Sequence, residues 1–273
     1  MILDCHVHLI KPDLGHQALA AKMKAAGVDG SVLISMPPGC FPTFQGPKGA
    51  KERLEHVLAW TKALPNTYPF FWIDPTEPDA AAQVDLALSM GVDGFKCICN
   101  HFYPGDPKAM DIWRKVAAAG KPMLFHSGIL WDGTPSSKYC RPVEFEAMIE
   151  VPKLRFAMAH ISWPWIDECL AVYGKFQSAL ANRPGLSCEM FIDCTPGTPA
   201  IYRKEALTKI WTIGYKLEDN VMFGTDSRGD WFDMDWVPPL IAGDNAIYDG
   251  LGLKPEIREK IYHRNMLRWI GKA

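Results

Sequence analysis

The sequence predicts a (β/α)8 barrel of the TIM type, an α/β fold, and three observations carry that prediction. Short apolar runs alternate with helix-like segments along the whole chain, and the unit recurs eight times. A length of 273 residues suits one such barrel, which needs about 250, better than two average domains. No Gly-x-Gly-x-x-Gly or phosphate-cradling loop opens any helix-like segment, which weakens the alternative of an open nucleotide-binding sheet. Residues 1–273 are therefore read as one domain, a barrel with an extra C-terminal helix.

In chain order, strands are expected at Ile2–His8, Gly30–Ser35, Tyr68–Asp74, Gly94–Cys99, Pro122–His126, Arg155–His160, Leu186–Phe191 and Asn220–Thr225, each a short apolar run. Helical composition or period places helices at His16–Ala26, Ala50–Ala63, Asp79–Met90, Pro107–Ala119, Pro142–Glu150, Trp165–Ala181 and Ile201–Tyr215. In the sixth of these, Ile166, Leu170, Tyr173 and Leu180 fall on roughly one face, the stripe of a helix lying on a sheet. The terminal helix, Lys254–Ile270, has Pro255 as a good first-turn residue and an apolar side of Ile257, Ile261 and Leu267. The Pro/Gly-rich stretch Met36–Gly49 and the loop Gly128–Arg141 read as loops of the active face.

Composition is ordinary for a soluble globular protein, at 48% hydrophobic and 22% charged. With 29 basic residues against 31 acidic ones, the net charge of −2 gives no reason to expect nucleic acid or an anionic membrane as partner. The N-terminus shows no basic segment followed by an apolar stretch and a cleavage site, and no apolar run could span a bilayer, so a cytoplasmic location is expected. The 8 cysteines form no Cys-x-x-Cys pair and are expected to be reduced, mostly buried thiols. The expected partner is a small-molecule substrate; assembly into a homo-oligomer is compatible with the sequence.

Five residues of metal-binding type fall at one end of the barrel predicted independently of them. His6 and His8 end the first strand, where alternation turns both imidazoles to the same side. His126 ends the fifth strand, His160 the sixth, and Asp226 directly follows the eighth. Singly, each has a bland reading: a strand histidine is more often a hydrogen-bonded core residue, and a strand-end aspartate is often a turn residue or helix cap. Their coincidence at the C-terminal strand ends, where barrel enzymes place their chemistry, is what points to a site. Nitrogen donors with a carboxylate suit zinc or a similar first-row divalent ion.

Asp4-Cys5-His6-Val7-His8 resembles the Asp-x-His-x-His opening of the amidohydrolase superfamily. Later landmarks are similar too: His126 after Pro122-Met-Leu-Phe, His160 after Arg155-Phe-Ala-Met-Ala, and Asp226 in Gly224-Thr225-Asp226. The ending Glu259-Lys-Ile-Tyr-His-Arg-Asn265 resembles the closing helix of the amidohydrolase 2 branch. The resemblance implies an enzyme with one or two divalent ions per chain, zinc first among them. It implies His6, His8, His126 and Asp226 as primary ligands, with Asp226 also general base and then general acid. His160 would be a ligand of a second ion or, in a one-ion site, a donor to the substrate oxyanion or water. Gly91-Val-Asp-Gly-Phe-Lys96 resembles the fourth-strand segment that, in binuclear members, ends in a carboxylated lysine bridging two ions. Two other readings of Lys96 stay open, an ion pair with a nearby acid and a partner for a substrate carboxylate. Cys97-Ile-Cys99-Asn100 departs from the small and basic residues more usual there.

For substrate binding, Arg228 and Arg141 could clamp a carboxylate, and His101 lies on the loop after strand four. Trp131, Tyr139, Trp163 and Trp231 fall on active-face loops and could wall a planar or apolar substrate. His16 and His56 read as surface residues, and His263 as remote from the chemistry. The expected function is hydrolysis of a small-molecule lactone, ester or amide by metal-activated water. The alternative is non-oxidative decarboxylation of an unsaturated or aromatic acid. A lysine where DNase-like barrels use an acid, and the near-neutral charge, argue against a nuclease; the full ligand set argues against a non-catalytic binding protein.

Overall fold

Strand and helix alternate as expected in the computed structural model, which describes residues 1–10, 15–41 and 49–273. Residues 42–48, part of the loop expected over Met36–Gly49, lie outside the described residues. The strands are β1 (Leu3–His8), β2 (Gly30–Ile34), β3 (Thr67–Trp72), β4 (Gly94–Cys97), β5 (Met123–Phe125), β6 (Arg155–Met158), β7 (Glu189–Asp193), β8 (Val221–Met222) and β9 (Ser227–Arg228). From β1 to β8 each strand pairs in parallel with the next, a pattern that requires a crossover between neighbours.

The ring closes through residues 221–228, one segment split into two short strands. β8 pairs with β7 and β9 pairs with β1, while between them the Cys5 amide donates to the Phe223 carbonyl at 3.0 Å. The helices are α1 (His16–Ala25), α2 (Ala50–Ala63), α3 (Ala80–Met90), α4 (Pro107–Ala118), α5 (Ile166–Asn182), α6 (Ala200–Thr212), α7 (Val237–Gly250), α8 (Pro255–Glu259) and α9 (Asn265–Ile270).

Alternation in β1 sorts core from site. Val7 and Leu9 pack with Leu19 and Met23 of α1 and with Val57 and Trp60 of α2, while His6 and His8 line the cavity of the barrel. Full burial of each such aliphatic side chain contributes about 1.5–3 kcal/mol. Between α6 and α7 lies a buried ion pair. Arg203 Nε and Nη2 reach Asp244 at 2.9 and 2.6 Å, and Arg203 Nη1 donates to the Cys194 carbonyl at 2.6 Å, just past β7.

Four differences from the sequence reading have local causes. Pro142–Glu150 winds as a 3-10 helix, the tighter form that short connectors adopt. Helix α7 was not among the expected helices; its Pro238 and Pro239 both sit in the first turn, where a missing N–H costs nothing. The terminal helix is divided into α8 and α9 by a π-helical turn over Lys260–Arg264. Strand β7 starts three residues and ends two residues later than expected, on Asp193. All the cysteines are free thiols, and only Cys40 is not fully buried. Among the described residues no helix is long and apolar enough to cross a membrane.

Candidate metal centre

At the C-terminal ends of the strands, donor atoms of four residues from three chain segments converge. His6 Nε2 lies 3.0 Å from His8 Nε2, and Asp226 Oδ1 lies 3.4 and 3.5 Å from these two nitrogens. His160 Nε2 is 4.0 Å from Asp226 Oδ2. Among the described residues, His6, His160 and Asp226 form a group whose donor atoms all lie within 4.8 Å of one another.

The polypeptide around these side chains holds their orientation. His6 Nδ1 pairs with Asp193 Oδ2 at 2.8 Å, both groups fully buried, which turns Nε2 toward the centre. Asp193 Oδ1 in turn accepts from the Thr195 amide at 2.7 Å. Thr195 Oγ1 pairs with His160 Nδ1 at 2.8 Å and accepts from the His160 amide at 3.2 Å. One short segment, Asp193–Thr195, therefore sets two of the imidazoles. Asp4 does the same for the backbone, its Oδ1 accepting from the amides of His6 and Thr225, both at 3.0 Å. Neither Asp193 nor Thr195 was singled out from the sequence. The signal was there: once the strand ends at Asp193, residues 193 and 195 share the inward face.

After β6 the chain makes a left-handed turn through His160 (φ 65°), Ile161 (φ 48°) and Ser162 (φ 57°). Such conformations cost about 1–3 kcal/mol for a non-glycine residue, most for a β-branched one. The turn is held by Ser127 Oγ, which donates to the Ala159 carbonyl at 2.7 Å and lies 2.8 Å from Ser162 Oγ. Complete burial of Ile161 adds to this. Gly197 packs directly on the turn: a Cβ there would come within 2.6 Å of His160 Cβ and 2.8 Å of Cγ. Gly197→Ala should displace the imidazole and lower kcat/KM by about 100-fold while leaving the circular dichroism spectrum unchanged. Native kinetics in that variant would show that the position of His160 does not matter.

Burial pushes the titration of His6, His8 and His160 well below the ordinary histidine range, with the charge of Lys96 acting in the same direction on each. The same causes bring His126 down to about 3. These imidazoles are therefore neutral, the form that offers a lone pair to a metal. Burial raises the Asp226 carboxyl, against the pull of Lys96, and raises Asp193 likewise. Asp4 is raised to about 7 by burial, despite its hydrogen bonds.

The centre forms the floor of a cavity of about 980 Å3, whose lining includes Phe41, Trp72, Ile98, Leu130, Trp131 and Trp163. Other expected site residues divide into those inside and those outside it. His126 lines the cavity; its Nε2 donates to the Ile129 carbonyl at 3.2 Å, and its ring packs on His160. Lys96 is fully buried in the wall with Nζ 3.2 Å from His6 Nε2. His101 lines the cavity, bonded to Thr76 Oγ1 at 3.0 Å and Asn100 Oδ1 at 2.5 Å. Arg228 also lines it, with Nη2 3.2 Å from Asp230. Trp131 is 79% exposed and stacks on Trp163 with the planes 14° apart.

Arg141 is a correction to the sequence reading: it is not among the lining residues, because Glu168 on α5 takes its Nε at 2.9 Å and its guanidinium lies over Trp165. Tyr139 and Trp231 also lie outside the lining. His16 and His56 are half-buried rather than exposed, and both pack on Trp60.

The donor set fits a divalent ion. Ligand atoms about 2.0–2.2 Å from a shared ion at tetrahedral angles lie about 3.4 Å apart, close to the spacings among His6, His8 and Asp226. The Asp193–His6 pair adds the carboxylate that usually orients a metal-binding histidine.

Comparison with known proteins agrees with this geometry. The family model for amidohydrolases (Amidohydro_2) matches residues 3–272. No curated protein matches the sequence. Among solved structures, an uncharacterised TIM-barrel protein from Bordetella bronchiseptica is 20% identical with a TM-score of 0.68, covering 99% of this chain and 98% of that one. A probable 2-pyrone-4,6-dicarboxylic acid hydrolase from Acinetobacter baumannii, with citric acid bound, is 12% identical with a TM-score of 0.64, covering 99% of each chain. The 5-carboxyvanillate decarboxylase of Novosphingobium aromaticivorans, in complex with manganese, is 13% identical with a TM-score of 0.61, covering 95% of this chain and 80% of that one. At such identities the likeness to each structure is one of fold. Together with the family match, the chain belongs to the amidohydrolase family, metal-dependent enzymes built on this barrel.

Proposed function

We propose that the centre cleaves a small planar carboxylic acid by non-oxidative decarboxylation. The observation that carries this reading is the cavity itself: apolar, largely aromatic walls around the centre, with Arg228 among the lining residues. The Arg228 guanidinium is partly exposed in that lining, with Nη2 3.2 Å from Asp230, a donor for a substrate carboxylate.

His6, His8, His160 and Asp226 would hold the divalent ion. Zinc suits these donors, and one structural neighbour carries manganese. When bound, the ion would supply Lewis-acid polarisation of substrate oxygens. Apolar walls disfavour a carboxylate relative to neutral carbon dioxide, which assists its departure. The bond to the carboxylate carbon breaks, its electron pair stays on the substrate carbon, and that carbon takes up a proton. Asp226, raised by burial, is the group placed to hold that proton at its carboxyl oxygen and deliver it.

Hydrolysis of a lactone, ester or amide is the second reading. It is favoured by the place of Asp226 Oδ1, 3.4 Å from His6 Nε2, where it could take a proton from an attacking water. The sequence put hydrolysis first, and the apolar walls are the reason the order here differs. A panel of aromatic and unsaturated acids, lactones and amides, assayed for released carbon dioxide and for released acid, separates the two. Acid release without carbon dioxide would overturn decarboxylation. Arg228→Met should raise KM for the carboxylate substrate by about tenfold or more, with a smaller change in kcat. An unchanged KM would remove Arg228 from carboxylate binding.

A further inference from the structure

Trp131 and Trp163 line the cavity from the loops that follow β5 and β6. Their ring planes are 14° apart, with centroids 6.5 Å from each other. That is near the far end of the range for aromatic pairs, about 4.5–7 Å, so neither indole covers the other's face. The backbone builds this spacing. Gly128 leads into the first loop at φ 103°, and a Cβ there would come within 2.4 Å of the Trp163 carbonyl oxygen. The bare glycine lets the Ile129 amide donate to that same oxygen at 3.0 Å, while the Ile129 carbonyl accepts from His126. On the other side, the Trp163 amide donates to the His160 carbonyl at 3.1 Å. Trp131 itself is bracketed by loop hydrogen bonds. The Leu130 amide donates to Ser137 Oγ at 3.0 Å, and Asp132 accepts from the Thr134 amide at 3.0 Å and from Ser136 Oγ at 2.8 Å. A loop tied this closely nevertheless leaves Trp131 79% exposed. Apolar surface held in water beside a cavity gains free energy when the apolar face of a ligand covers it.

We propose that the two indoles form a stacking seat for the ring of the substrate, with Trp131 as the specificity-determining residue: the acid this cavity selects is aromatic, in preference to an open-chain unsaturated or a saturated one. A planar π-system laid on an indole gains contact over its whole face, whereas a saturated ring of the same size is puckered and touches it at fewer atoms. Backbone hydrogen bonds tie the seat to His126 and His160, so a ring held there has a fixed place relative to the centre. The proposal rests on the reading of the cavity as the site of an acid substrate and narrows that acid to one class; it does not require that carbon dioxide be lost.

The test is calorimetric titration of the full chain with 2-naphthoate, its saturated counterpart decahydro-2-naphthoate and the open-chain acid sorbate, comparing the native protein with Trp131→Leu and Trp131→Phe. Both substitutions stay apolar at an exposed position, but only Trp131→Phe keeps an aromatic face. The native protein is expected to bind 2-naphthoate about tenfold more tightly than either other acid. Trp131→Leu should reduce that preference to within about twofold, and Trp131→Phe should retain most of it. Equal affinity for the three acids, no binding of 2-naphthoate, or a preference that survives Trp131→Leu would overturn the proposal. So would a Trp131→Phe protein no more selective than Trp131→Leu. Sedimentation showing that Trp131→Leu breaks up an assembly of the native chain would also overturn it, giving Trp131 to a second copy. Release of acid without carbon dioxide in the product assay would overturn decarboxylation alone, because these titrations read binding and not turnover.

Discussion

Asp226→Asn is expected to lower kcat/KM by roughly 1000-fold while leaving the fold and its melting temperature unchanged. The substitution removes charge and proton capacity but almost no volume. It is also the replacement the backbone tolerates best, since Asp226 sits at φ 56° in the left-handed region, where asparagine is among the least strained residues. The two carboxyl oxygens of Asp226 face different histidines, Oδ1 toward His6 and His8 and Oδ2 toward His160. An amide can present an oxygen to only one side and has no proton to shuttle. The measurement is steady-state kinetics on whichever substrate the product assay identifies, with a melting curve on the same preparation. Activity within tenfold of native would remove Asp226 from the chemistry; a collapse in melting temperature would make its role structural.

Asp244→Ala should cost about 3–5 kcal/mol of stability, a fall in melting temperature of roughly 6–20 °C for a chain of this size. The change leaves the Arg203 guanidinium buried without its carboxylate, and stranding a buried charge costs far more than an exposed ion pair contributes. Arg203 also holds the Cys194 carbonyl, between the two residues that orient His6 and His160. The same variant should therefore loosen the centre and lower activity even below its melting point. Replacing both partners with apolar residues, as in Arg203→Met with Asp244→Leu, should recover much of the stability. A loss below about 1 kcal/mol in the single variant would mean that water reaches the guanidinium and the pair is not a buried one.

Much of this was legible in the sequence because it depends on period and order. Strand alternation put His6 and His8 on one side, and the strand ends placed His160 and Asp226 beside them, where their donor atoms do meet. What the sequence did not reveal depends on where a strand stops and what a side chain finds nearby. Ending the seventh strand at Phe191 hid Asp193, whose role follows from a two-residue shift along an apolar run. Arg141 looked available because it ends an active-face loop, but Glu168 reaches it from a helix 27 residues away in the chain. For His126, strand position predicted presence in the cavity and not the direction of the ring, which a hydrogen bond to Ile129 decides. Helix α7 was not anticipated; it carries two prolines in its first turn, where proline is tolerated although it would break the interior.

Closure of the ring through residues 221–228 has a consequence for the order in which the protein is made. The Thr225 amide bonds Asp4 across 221 residues of chain, and Asp226 is the very next residue. Contacts at such separation carry the largest loop-closure entropy and form late. An emerging chain has His6 and His8 from the start, yet it has no centre until its final quarter folds back onto β1. Partly folded or truncated molecules thus carry most of the ligands without the site. An ion that binds only the closed ring would act as a latch, drawing the last step of folding toward completion by mass action.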